Sequence, residues 1–203
     1  MKLITVSREF GSGGRELAKR LSDALQIPYY DREILTEIAR QAELDEDYVN
    51  RTLEQGLQPA VPLHFANSFY GPTTAMTAQL FGVQQKILRS LAERGDCVIV
   101  GRAADAALAE FHPLRLFVYA DEPSKIARCR ERAAEGEALS DRVLRREMRR
   151  IDKGRASAYA LFSSTHWGDK ANYDLCINTS HVIIKEMVPS LAAYAERWFQ
   201  KEV

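Results

Sequence analysis

Short apolar, β-branched runs alternate along the chain with longer stretches in which apolar residues recur every third or fourth position. The runs at Leu3–Ser7, Pro28–Tyr30, Cys97–Val100, Arg115–Tyr119 and Leu175–Ile177 predict five strands. Between the first two, GRELAKRLSDAL sets Leu17, Leu21 and Leu25 on one stripe with Ala18 and Ala24 beside it, as in a helix packed on a sheet. Strand, helix, strand in that order implies a right-handed crossover and a mostly parallel sheet covered by helices. Further on, DREILTEIARQAELDEDYVNRTLE predicts two short helices broken near Leu44, and another helix runs from about Thr77 to Arg94. The region from Ser124 to Tyr159 is helical and dense in arginine, and an amphipathic helix from Val182 closes the chain. Residues 56–74, with Pro59, Pro62 and Pro72, are the least periodic, and read as a connector or as a mobile insertion covering the substrate.

Composition narrows this picture. At 203 residues, 46% hydrophobic and 28% charged, the chain is long enough to bury the core of one α/β domain spanning 1–203. Lys plus Arg balances Asp plus Glu at 28 against 28, so no global field favours a nucleic acid polymer or an anionic membrane. Any attraction to anions must be local. The start lacks a basic leader followed by a long apolar stretch, and no later run is long enough to cross a bilayer, which predicts a cytoplasmic protein. Three distant cysteines, Cys97, Cys129 and Cys176, suit a reducing compartment, and four scattered histidines show no ligand spacing.

Chemistry enters at the first loop. FGSGGRE follows a predicted strand and opens a helix, where glycines let backbone N–H groups turn onto an anion and the helix dipole adds positive potential. Against the phosphate-loop pattern G-x-x-x-x-G-K-[ST], Gly14 fills the last glycine. Glu9 stands at the first glycine, Arg15 at the lysine and Glu16 at the hydroxyl residue. The dinucleotide pattern G-x-G-x-x-G fits Gly11 and Gly13 but meets Glu16 at its third glycine. The loop alone leaves a phosphate cradle and a plain glycine turn both open.

In a parallel α/β sheet, ligands bind outside the carboxyl ends of the strands, and VIVGR puts Arg102 at such an end. The competing reading pairs Arg102 with a nearby carboxylate such as Asp105. The helical arm ARCRERAAEGEALSDRVLRREMRRIDKGRASAY offers Arg128, Arg132, Arg149 and Arg155 as cations for a moving phosphoryl group, although most arginines there belong to a solvated face.

Taken together, ITVSREFGSGGRELAKRL, IPYYDREIL, CVIVGRAAD, LRLFVYADEPSKIARCRER, RRIDKGRASAY and WGDKANYDLCINTS resemble the cytidylate kinase-like family, over nearly the whole chain. The resemblance implies a P-loop fold with three layers, a five-stranded parallel sheet, helices on both faces and a helical lid over about 124–159. It implies phosphoryl transfer from ATP with Mg2+ to a nucleoside monophosphate, CMP or dCMP. By position, Gly11, Ser12, Gly13, Gly14, Arg15 and Glu16 match the ATP-phosphate loop, with Glu16 the candidate magnesium ligand. Arg102 matches the arginine of the DGRD segment that holds the acceptor's phosphate. Asp152 and Arg155 match the acidic and basic positions just after the lid, with Asp105 or Asp31 a substitute acceptor-side carboxylate. VGRAAD lacks both DGRD aspartates, so a kinase with another small-molecule acceptor, and a nucleotide-binding sensor without activity, stay open. The sequence carries no signal for oligomeric state.

Overall fold

The computed structural model describes residues 1–55, 74–133 and 140–200. Five strands, β1 (Leu3–Arg8), β2 (Tyr29–Tyr30), β3 (Cys97–Val100), β4 (Leu114–Tyr119) and β5 (Leu175–Asn178), form one sheet in the order β2-β3-β1-β4-β5. Every pairing is parallel, with Val6 opposite both Val100 and Leu116. The helices are α1 (Gly14–Leu25), α2 (Arg32–Ala42), α3 (Glu46–Gln55), α4 (Thr74–Glu93), α5 (Ala104–Ala107), α6 (Glu122–Glu131), α7 (Asp141–Tyr159) and α8 (Ile184–Phe199).

The strand alternation divides the core into two layers. Ile4, Val6, Val98, Val100, Leu116 and Val118 pack toward Leu17 and Leu21 of α1 and Val188 and Leu191 of α8. Leu3, Cys97 and Ile99 point the other way, onto Ile34 and Ile38 of α2, Leu88 of α4 and Leu108. A third, small cluster of Ile126, Leu144 and Met148 packs with Phe10 and Cys129, fastening α6 and α7 to the first loop.

The predicted elements are all present among the described residues, with shifted ends. Strand β2 starts at Tyr29 because Pro28 has no N–H for the ladder, though its carbonyl accepts from Val98 N at 2.8 Å. The arginine-rich arm is two helices with separate caps. Asp121 accepts from Ser124 N at 2.8 Å ahead of α6, and Ser140 accepts from Val143 N at 3.4 Å ahead of α7. Apart from Thr74, the expected insertion at 56–74 lies outside the described residues.

Candidate functional site

Three strands deliver polar residues to one place. β1 ends on Arg8, β2 runs into Asp31, and β3 runs into Gly101 and Arg102; all four line a cavity of about 250 Å³ beyond the carboxyl ends of the strands. Five arginines (Arg8, Arg15, Arg32, Arg102 and Arg155) face it against two aspartates, Asp31 and Asp47. Such an excess of guanidinium groups in a partly dry space favours an anion with several oxygens.

Arg8 is the deepest of them. Burial pushes its pKa well below the usual arginine range; Arg155, Arg102 and Arg15 add to that, and Asp31 opposes it. The Asp31 carboxylate stands 3.9 Å from Arg8 Nη2 but only 2.5 Å from Arg15 Nε, and it also accepts from the Tyr29 hydroxyl at 3.3 Å. One carboxylate therefore serves two arginines, with the nearer contact going to Arg15.

The turn after β3 makes room for Arg8. Gly101, Arg102 and Ala103 have φ of 69°, 60° and 50° in succession, a left-handed run that disfavours side chains. A Cβ on Gly101 would lie 1.7 Å from Arg8 Nη1, so only glycine lets the guanidinium rest there. The turn is held by Ala104 N donating to Gly101 O at 3.0 Å and Gln84 Nε2 donating to Arg102 O at 3.1 Å. A strained non-glycine turn fixed at a strand end is a usual mark of a functional position.

Beside the cavity, the glycine loop opens α1. The N-cap of α1, Gly13, makes no side-chain cap, and Gly14 N makes only a long contact to Ser12 Oγ at 3.4 Å, so the first turn offers backbone N–H groups and the positive end of the helix dipole. Gly14 sits where β1 and α1 touch: a Cβ there would be 2.5 Å from Arg8 Cβ and 3.1 Å from Val118 Cβ. The loop is clamped from outside. Asp152 Oδ1 accepts from Phe10 N at 2.8 Å, Lys125 Nζ holds Glu9 Oε2 at 2.9 Å, and the buried Thr179 Oγ1 donates to Ser12 O at 2.6 Å. Arg128 bonds to Ser12 O and to Thr179 O, tying the loop to the end of β5.

The structure gathers Arg15, Arg102 and Arg155 around the cavity, Arg155 donating to Arg8 O at 2.9 Å and to Asp152 Oδ1 at 3.2 Å. Other expected residues are placed differently. Arg128 is engaged by backbone carbonyls, Arg132 pairs with Glu16 at 2.9 Å, and Arg149 is exposed and bonded to Arg145 O of its own helix. Asp152 supports the loop and does not line the cavity; burial raises its pKa, with Glu9 adding to the rise and Phe10 N–H and Arg155 opposing it. Asp105 does not pair with Arg102; it lies buried behind Ser7, whose Oγ donates to Asp105 Oδ1 at 3.1 Å. Trp167 lines the cavity and packs edge-on against Phe117, 5.3 Å between ring centroids. Sequence reasoning passed over Arg8 and named Asp31 only as a substitute carboxylate without a spacing argument, although the strand-end rule that selected Arg102 also points to both.

Glu16 is the acidic residue of the first turn of α1, and its oxygens are engaged by Arg20 and Arg132, each at 2.9 Å. Among the described residues no group of three or more His, Cys, Asp or Glu side chains is arranged to hold a metal. A single carboxylate of this kind suits magnesium that arrives with a nucleotide, since that ion takes one or two carboxylates and draws its remaining oxygens from phosphates and water.

Asp105 gives the site a pH signature. Burial raises its pKa from 3.8 to about 6, against the opposing hydrogen bond from Ser7. The folded state thus holds this proton more tightly than the unfolded state. The associated stability is fully present below pH 3.8 and is lost as pH rises through about 6, a loss of about 3 kcal/mol. In urea unfolding from pH 4 to 7.5, Asp105→Asn should lack this decline, so the difference between variant and unaltered protein shifts in the variant's favour as pH rises. Parallel pH curves would place the Asp105 carboxyl in a solvated setting.

Comparison with known proteins gives the family and the fold. The family model described as "Cytidylate kinase-like family" matches residues 3–181. An uncharacterized protein from Eubacterium ventriosum is similar in structure, with a TM-score of 0.71, 25% identity, and coverage of 97% of this chain and 99% of that one. Shikimate kinase from Bacteroides thetaiotaomicron shares the fold at a TM-score of 0.56 and 16% identity, covering 95% and 97% of the two chains. A gluconokinase from Sinorhizobium meliloti does so at 0.52 and 15%, covering 99% and 98%. No curated protein sequence matches the chain.

Proposed function

The chain belongs to the cytidylate kinase-like family, and on that premise we propose that it transfers the γ-phosphoryl group of ATP to a nucleoside monophosphate, CMP or dCMP. The observation that carries this reading is the cavity beside the glycine loop, where five arginines meet two aspartates at the carboxyl ends of β1, β2 and β3. An anionic acceptor in the cavity and a triphosphate on the loop would face each other across Arg15.

Phosphoryl transfer needs positioning and charge neutralisation more than covalent chemistry, and each part has a residue. The N–H groups of the loop and of the first turn of α1 hold the donor phosphates. Arg15, with its side chain 65% exposed, exchanges Asp31 for a phosphate oxygen. Arg8 and Arg102 hold the acceptor's phosphate from the strand ends, and Arg155 lies between the two sites on the path of the group in flight. Magnesium, brought with ATP, would supply charge neutralisation on the donor phosphates. Glu16 would be its ligand from the chain, after giving up an arginine partner.

The absence of the DGRD aspartates around Arg102 favours a second reading, the same transfer to a different phosphorylated small molecule. The assay follows ADP release from ATP and Mg2+ over a panel of nucleoside monophosphates. CMP or dCMP should turn over best; turnover of a different phosphorylated compound alone would select the second reading. ATP binding without any turnover would select a nucleotide sensor. Arg15→Ala should weaken ATP binding and Arg102→Ala should raise the acceptor's KM, each by about tenfold or more for a lost charged contact. Unchanged ATP affinity in the first variant would remove Arg15 from the donor site, and an effect of the second confined to ATP would remove Arg102 from the acceptor.

A further inference from the structure

Behind the cavity floor lies a buried polar cluster that the transfer mechanism leaves unused. Ser7 lines the cavity, and its Oγ donates to Asp105 Oδ1 at 3.1 Å. Asp105 is 3% exposed, and its other oxygen, Oδ2, has no hydrogen-bond partner among the described residues. The groups that face this carboxyl are Ser7 from β1, Arg115 from β4, Tyr159 from the end of α7 and Tyr173 just before β5. Arg115 is committed elsewhere, donating to both oxygens of Asp174 at 2.9 and 3.1 Å. No cation among these groups pairs directly with Asp105, and a carboxyl buried this way is costly as a packing element.

Its effect on Ser7 follows from hydrogen-bond arithmetic. An ionised carboxylate only accepts, so the single hydroxyl proton of Ser7 is committed to Asp105. What Ser7 then presents is lone pairs, one toward the neighbouring Tyr173 hydroxyl and one toward the cavity.

We infer that Ser7 is a specificity-determining residue of the acceptor cavity, fixed by Asp105 as a hydrogen-bond acceptor, so that the favoured acceptor molecule presents an N–H or O–H donor to it. The inference rests on the reading of this cavity as the acceptor site. Arginines select the anion, and Ser7 selects what else the molecule carries. Asp105 is a positioning residue that acts through Ser7. At pH 7.5 its carboxyl is ionised and holds the Ser7 proton; well below its pKa of about 6 it becomes a donor itself and releases Ser7 to donate into the cavity.

The test is calorimetric titration with CMP, which carries an amino group and ribose hydroxyls, and with inorganic sulfate, a dianion without any N–H or O–H. Ser7→Ala should weaken CMP binding about tenfold, the effect of one well-placed hydrogen bond, and leave sulfate affinity unchanged. Asp105→Asn should weaken CMP at pH 7.5 and make the ratio of CMP to sulfate affinity less pH-dependent between pH 5 and 7.5 than in the unaltered protein, the remainder being the titration of the CMP phosphate at about pH 6. Equal losses for CMP and sulfate in Ser7→Ala would reduce Ser7 to a packing role. Unchanged CMP affinity in that variant, with Arg102→Ala still abolishing it, would overturn the inference and leave the acceptor reading standing. Binding of sulfate but of no nucleoside monophosphate to the unaltered protein would overturn the acceptor reading, and the inference with it.

Discussion

Arg8→Met should leave the melting temperature unchanged or raise it while lowering acceptor-dependent ADP formation about 100-fold, the effect of losing a buried charged contact. The two effects have one cause. The Arg8 guanidinium is taken out of water and pressed by Arg155, Arg102 and Arg15, and Asp31, its carboxylate neighbour, is closer to Arg15. Methionine keeps most of the length and apolar stem without the desolvated charge, and Asp31 keeps Arg15 as its partner. The fold therefore gains little from the cation, whereas a phosphate in the cavity would gain a great deal. Thermal unfolding and steady-state kinetics on the same preparation separate the two. A large fall in melting temperature with the acceptor KM unchanged would make Arg8 a structural residue.

Gly14→Ala should destabilise the protein by about 2 kcal/mol through overpacking and weaken ATP binding with it. The added methyl would meet Arg8 Cβ at 2.5 Å and Val118 Cβ at 3.1 Å, atoms fixed directly to the backbone of β1 and β4 that cannot swing aside. Relief requires α1 to lift off the sheet, carrying the loop N–H groups with it. Gly82→Ala is the matched control, since nothing lies within 4 Å of a Cβ there and the site is inside α4. It should stabilise by up to about 1 kcal/mol from helix propensity. Urea unfolding of both variants checks the contrast, and equal effects would remove the close-approach explanation for Gly14.

Much of this was legible in the chain. Continuous apolar, β-branched runs marked the strands, because a parallel strand is covered on both faces, and a three-four stripe marked α1, because a helix that buries one face leaves a repeat that a reader can count. The strand-end rule found Arg102 and the glycine cluster found the loop. Asp152 and Arg128 were harder. Their residue types suit phosphate chemistry, yet one accepts from Phe10 N and the other bonds to backbone carbonyls, and nothing local in the sequence distinguishes a ligand contact from a strut.

By itself the sequence determined the order of strands and helices, the parallel sheet they imply and the glycine turn ahead of α1, all of which follow from local patterning and chain connectivity. Only the tertiary structure decided which charges share a space. Arg8, Asp31 and Arg102 are far apart along the chain and meet because β1, β2 and β3 end side by side; Arg155 joins them because α7 packs against the loop. Ser7 gained its meaning the same way, from a carboxylate 98 positions away whose burial depends on every layer around it.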